Sequence, residues 1–202
     1  MSHIVGIAGQ LNSGKGAVAE YLCKEYGFIE FAITDYIKIM VQDLFGVSDN
    51  ELWGSSQSRT PRTRRILQSF GTEFGRNFDP EVWIRKFERR VQHWRLHGVD
   101  PLGRVPKGTS LEPIVVPDVR FTNEAHFLCR IMGGRVVRIR RPDNYINTTK
   151  EFKNHISETS VDDISSDLIC MTIVNSGTLD DLHRRTRVIW SEIRSGDALR
   201  AP

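Results

Sequence analysis

Cysteine is scarce: Cys23, Cys129 and Cys170 are the three in 202 residues, far apart and set in apolar or helical stretches. That excludes a disulfide scaffold. With no CxxC or zinc-like spacing, the three are expected as free thiols in a reducing compartment. No apolar run approaches membrane-spanning length, so no membrane partner is expected. The first apolar stretch runs directly into a glycine-rich loop with no small-residue cleavage site, so secretion is not expected. Charge of one sign is lacking as well: 28 Lys and Arg face 25 Asp and Glu, a formal net charge of +3, too small to argue for nucleic acid. There is no homeodomain, zinc-finger or aromatic strand motif and no Asn-Lys-x-Asp guanine motif. No repeat, coiled coil or second domain is visible.

Apolar residues make up 39% and charged residues 26% of the chain, which fits one α/β domain with a sizeable core. "HIVGIA" reads as a strand, followed by a loop, a helix carrying Val18, Ala19, Leu22 and Tyr26, and a second strand at "FIEF". Thr34 is placed as the cap of a helix with Ile37, Met40, Val41, Leu44 and Phe45 along one side. "GVSDNELWGSSQSRTP" reads as polar and turn-rich, Pro61 to Phe74 as a helix, and Asp79-Pro80 as cap and first residue of the next. Strands are then expected at "PIVVP", "RVVRIRRP" and "LICMTIVNS", with helices over "FTNEAHFLCRIMGG" and Leu179–Ile193. Five strands alternating with helices predict a mostly parallel five-stranded sheet covered on both faces. From Arg59 to Arg95 there are ten Lys or Arg and four Asp or Glu, a local field that suits an anionic ligand.

The strongest local signal is "GIAGQLNSGKGAVAEYL". Gly9-x-x-x-x-Gly14-Lys15 matches the first seven positions of the phosphate-binding P-loop, directly after a strand and opening a helix. The glycines let backbone amides turn around phosphates, the helix adds its positive end, and Lys15 can reach the terminal phosphates. Amides from Asn12 through Ser13, Gly14 and Lys15 to Gly16, with Ala17 beside them, are the expected donor site. Most such loops continue with a hydroxyl that helps hold magnesium; here Gly16 and Ala17 follow. The metal is then expected on the nucleotide, held more by water and by an acidic strand end, and Ser13 is not given the metal role.

Further stretches carry a resemblance: "FAITDYIKIMVQDLF", "LQSFGTEFGRNFDPEVWIRKF", "VVPDVRFTNEAHFLCRIMGGRVVRIRRP", and "HISETSVDDI" with "IVNSGTLDDL". Over almost its whole length the chain resembles the deoxynucleoside monophosphate kinases of tailed bacteriophages. The resemblance implies a P-loop kinase fold over 1–195, with a helical acceptor-binding region at 34–97, a lid-like region at 138–160 and a tail at 196–202. It implies ATP and Mg2+ as donor and metal, a deoxynucleoside monophosphate as partner, and dNDP as product. It favours a homodimer, in the cytoplasm, which for a phage protein is that of the infected host. A kinase of another small phosphorylated metabolite and a non-enzymatic nucleotide-binding regulator are the alternatives.

On this reading Asp35 and Lys38 face the acceptor. Arg64, Arg65 and Arg76 offer guanidinium forks to its phosphate, and Gln68 offers an amide to the base edge. Trp83 is a wall or core residue. Asp118 either holds magnesium through water or accepts hydrogen bonds from the loop. Arg120 either meets the acceptor phosphate during transfer or pairs with Glu124, which otherwise anchors the next helix. Arg138, Arg140 and Arg141 end their strand, the first two on one side and Arg141 on the other; one or two of them are candidates for the donor phosphates or the adenine face, with Arg138 on the donor and Arg140 in a catalytic role. His155 and Glu158 look like the family's HxSE segment, with an orienting or packing role.

Overall fold

The computed structural model describes residues 3–108, 111–142 and 155–195. Strands β1 (Ile4–Ala8), β2 (Ile29–Glu30), β3 (Ile114–Val119), β4 (Arg135–Arg140) and β5 (Ile169–Val174) form one sheet in the order β2-β3-β1-β4-β5. Every pairing is parallel. Parallel neighbours need crossovers, and the helices that make them cover both faces. Alternation along β1 decides what lies where. Val5 and Ile7 pack with helix α1 (Lys15–Tyr26) and the C-terminal helix Leu179–Ser195. Ile4 and Ala8 join the larger core of Phe31, Ile33, Val41, Phe87 and Trp94.

The polar region after β2 is more helical than its composition predicts. Helices α2 (Asp35–Phe45), α3 (Asp49–Trp53), α4 (Pro61–Gln68) and α5 (Val82–His97) follow one another, and Ser69–Arg76 continues α4 as a wide π turn. α3 corrects the turn-rich reading of "GVSDNELWGSSQ". α5 begins at Val82, not at Pro80: the Asp79 carboxylate accepts the Glu81 N–H at 3.1 Å, which makes a turn before the helix starts. Thr34 does not cap α2 with its side chain; its hydroxyl donates to Asp118 at 2.6 Å. After β3 come α6 (Thr122–His126), a second π turn at Phe127–Ile131, and, past β4, α7 (Ile156–Thr159); Leu179–Ser195 is α8. Residues 143–154 of the expected lid and the 196–202 tail lie outside the described residues. No helix among the described residues is long and apolar enough to cross a membrane.

The π turn brings Gly75 against the Trp83 ring: a Cβ at Gly75 would lie 2.4 Å from the ring's Cζ2. Trp83 cannot retreat, because it is buried and its indole N–H donates to the Gly71 carbonyl at 2.7 Å. Gly75→Ala is therefore expected to cost about 1–3 kcal/mol, the usual range for overpacking. Chemical denaturation checks it, and an unchanged midpoint would contradict the contact.

Candidate functional site

At the C-terminal ends of β1 and β3 lies an open cleft of about 1070 Å³. Its floor is the loop from Leu11 to Ala17. Asn12 takes a left-handed conformation at φ 60° and Gly14 stands at φ 109°. The tight curl is held from outside: Asn175 at the end of β5 donates to the Ser13 carbonyl at 2.9 Å, and Arg141 to the Asn12 carbonyl at 3.3 Å. A Cβ at Gly14 would lie 2.6 Å from that Asn175 amide, so packing as well as backbone requires glycine there. Lys15 folds back to donate to the carbonyls of Gly9 (2.7 Å) and Gln10 (2.6 Å). Burial, and then the positive charge of Arg120, lower its pKa to about 7 against the pull of Glu158 and Asp118.

The cleft is also lined by a group of guanidinium side chains. Arg59, Arg64 and Arg120 all line it: burial, and then the charges of Arg64 and Arg120, lower the pKa of Arg59, and burial, with Arg120 beside it, lowers that of Arg64. Arg59 is fixed by donating to the carbonyls of Glu51 and Leu52, both at 3.2 Å. Arg76 lies over the Phe121 ring at 3.8 Å and pairs with Glu124. Lys38 lines the cleft above Trp53, 4.6 Å from the ring centre. Several positive groups held together in spite of their repulsion make a place for a multiply charged anion. The rest of the wall is mixed, with Ile37, Leu67, Gln68 and Thr72.

The model of the deoxynucleotide monophosphate kinase family matches residues 55–186, more than half of the chain. A protein of Acanthamoeba polyphaga mimivirus described as "Putative deoxynucleotide monophosphate kinase" is 30% identical over 191 residues, which are 89% of this chain and 92% of that protein. The chain belongs to the deoxynucleotide monophosphate kinase family. Similar solved structures include shikimate kinase from Aquifex aeolicus, with a TM-score of 0.46 at 11% identity over 96% of this chain and 99% of that one. Dephospho-CoA kinase from Campylobacter jejuni gives 0.47 at 13% identity over 95% and 97%.

Not every expected residue of this kinase reaches the cleft. Asp35 does not line it: its carboxylate is buried against Arg90 at 2.6 Å and Lys38 at 3.0 Å. Arg65 is exposed on the outer side of α4, away from the cleft lining. Arg138 donates to the carbonyls of Val161 and Ile164, at 3.4 and 2.7 Å, and so holds the turn after α7. Arg140 is exposed at the end of β4, and Arg141, of opposite parity, is the one that lines the cleft. Of the three arginines that end β4, Arg141 lines the cleft and Arg138 and Arg140 do not.

Glu124 lines the cleft, but its oxygens are taken: Arg76 holds one, and the N–H groups of Arg120 (2.7 Å) and Phe121 (3.1 Å) hold the other. It sets Arg76 and starts α6, and its expected partner Arg120 pairs instead with Glu158. Asp118 accepts from Ile33 N–H, Thr34 N–H and the Thr34 hydroxyl. Of the residues that line the cleft, sequence reasoning singled out neither Arg59 nor Trp53.

Proposed function

We propose that this kinase moves the terminal phosphoryl group of ATP to a deoxynucleoside monophosphate, giving dNDP and ADP. One observation carries the reading: a single cleft holds both the Lys15 loop and the Arg59–Arg64–Arg120 group. In-line transfer between two phosphates needs both anions in one space, oriented and shielded from water. The loop amides and Lys15 take the donor phosphates, and Lys15 leaves the Gly9 and Gln10 carbonyls to do so. The arginine group, with Arg76 and Lys38, takes the acceptor phosphate, while Gln68 presents an amide to the base. The acceptor oxygen is already anionic at neutral pH, so the chain needs no general base.

Among the described residues no group of three or more His, Cys, Asp or Glu is placed to hold a metal. On this reading magnesium is carried mainly by phosphates and water. A carboxylate offers about four lone-pair sites; Asp118 already uses three, which leaves it one for a metal-bound water. Magnesium, when bound, would neutralise charge on the donor phosphates. A Cβ at Gly16 meets nothing within 4 Å, so Gly16→Ser is expected to fold normally. With a restored hydroxyl, worth about 1 kcal/mol, the Mg2+ concentration for half-maximal rate is expected to fall about fivefold. An unchanged requirement would show that this hydroxyl has no access to the metal.

The reading needs no nucleic acid and no membrane, and it carries the homodimer as a proposal for light scattering. The deciding experiment is a coupled assay with ATP, Mg2+ and a panel of deoxynucleoside monophosphates, modified pyrimidines included, beside ribonucleotide and no-acceptor controls. Formation of dNDP supports the class. ATP binding without transfer to any acceptor would move the reading to a nucleotide-binding regulator.

A further inference from the structure

One carboxylate touches both halves of the cleft. Glu158, on α7, is 4% exposed. Its Oε2 accepts the Leu11 N–H of the phosphate loop at 2.7 Å, and its Oε1 accepts from Nη1 of Arg120. The same Nη1 donates to the Ser157 carbonyl at 3.0 Å. Arg120 is thereby tied along one edge of its guanidinium. Its Nη2 and Nε, which have no acceptor among the described residues, form the other edge, on a side chain that lines the cleft. A second link joins the same segments at the surface: Gln10 donates to Asp162 at 2.7 Å. α7 itself is held by His155, whose Nδ1 accepts the Ser157 N–H at 3.2 Å.

We infer that Glu158 is a positioning residue that joins the phosphate loop to Arg120, so that occupation of the donor site and of the acceptor site favour each other. The inference rests on the proposed phosphoryl-transfer reading. The physical argument is short. A planar fork delivers two parallel hydrogen bonds only when its plane is fixed, and Arg120 is fixed by a group that also grips the loop. A triphosphate that settles the loop therefore settles Glu158, and with it the free edge of Arg120. The acceptor phosphate then meets a guanidinium that no longer has to be ordered. By linkage the effect runs equally the other way.

The test is to measure dNMP binding with and without a non-hydrolysable ATP analogue, by calorimetry, in wild type and variants. In the wild type the analogue is expected to tighten dNMP binding by about fivefold or more, the lower end of ordinary coupling between sites. Glu158→Gln keeps the shape and removes the charge. Each nucleotide should still bind alone, while the coupling falls to within about twofold of none and kcat drops more than KM rises. Asp162→Ala, which breaks the surface link but spares Arg120, should keep the wild-type coupling; a merely structural role of the α7 contact would make the two variants alike. If Glu158→Gln does not fold, Arg120→Lys carries the test, with the analogue still bound and the coupling lost. Undiminished coupling in Glu158→Gln or Arg120→Lys, or none in the wild type, overturns the inference. Failure of the wild type to bind either nucleotide overturns instead the reading beneath it.

Discussion

Lys15→Met is expected to lower the rate of phosphoryl transfer by about 10³-fold, with nucleotide affinity falling less than about tenfold. The asymmetry follows from where the ammonium sits. In the protein alone it donates to the carbonyls of Gly9 and Gln10, so binding a ground-state triphosphate exchanges one set of acceptors for another. The gain comes as charge shifts during transfer, which the loop amides cannot follow and a mobile cation can. The same residue gives a second readout. Its pKa is lowered to about 7, so at pH 8 the amine is mostly neutral before nucleotide arrives. Several phosphate charges beside it raise that pKa, and binding at pH 8 then takes up a proton. Affinity should accordingly weaken as pH rises from 7, and the calorimetric enthalpy should depend on the buffer's ionisation enthalpy. Lys15→Met should abolish the uptake while still binding nucleotide. Proton uptake that persists in that variant, or transfer at wild-type rate, would remove Lys15 from the site.

Much of the donor half was legible because its signals are local. The spacing of Gly9, Gly14 and Lys15 after an apolar strand names a loop whose conformation depends on its own glycines. The strands were legible from β-branched runs, and parallel order from the helices between them. The acceptor half was harder, because there the roles depend on which elements meet. The parity of Arg138 and Arg140 against Arg141 was readable along one strand; which side meets the loop depends on the sheet order and on the turn at 161–164. α3 did carry a signal: Ser48 and Glu51 stand three apart as in a capping box, and the Ser48 hydroxyl accepts the Glu51 N–H at 3.4 Å. The π turns at Ser69–Arg76 and Phe127–Ile131 left no comparable mark in the residues. Arg90 did: it falls with Trp83, Phe87 and Trp94 on the buried side of α5, and a charge on an apolar face requires a buried partner.

That partner is double, and it sets the largest expected effect on stability. Arg90 is 1% exposed and holds Asp100 through two hydrogen bonds, at 2.7 and 2.8 Å, and Asp35 through a third at 2.6 Å. Asp100 in turn accepts the N–H groups of Leu102 (3.2 Å), Arg104 (2.8 Å) and Val105 (2.9 Å), so one guanidinium ties α5 to α2 and to the loop after it. Arg90→Met leaves the buried Asp100 carboxylate without its cation and Asp35 with Lys38 alone, and is expected to cost about 3–5 kcal/mol. The neutral triple variant Asp35→Asn, Arg90→Met, Asp100→Asn should recover the part of that loss that comes from unpaired charge, but not the part from backbone N–H groups that a single amide oxygen at position 100 cannot accept. The pH dependence separates the cases. Burial alone would raise the Asp100 pKa, but the Arg90 pairing and the loop amides outweigh it and hold it below the usual value. Its contribution in the wild type is therefore present above about pH 4 and is lost as pH falls through the lowered folded pKa. In Arg90→Met burial prevails, the folded pKa rises above the unfolded one, and mild acid should stabilise the variant where it leaves the wild type unchanged. Because Asp35 also holds Lys38 at 3.0 Å, the single variant should bind the acceptor more weakly while the ATP site is spared. An Arg90→Met midpoint within about 0.5 kcal/mol of wild type, the range of an ordinary surface change, would mean that this cluster does not hold the acceptor half together.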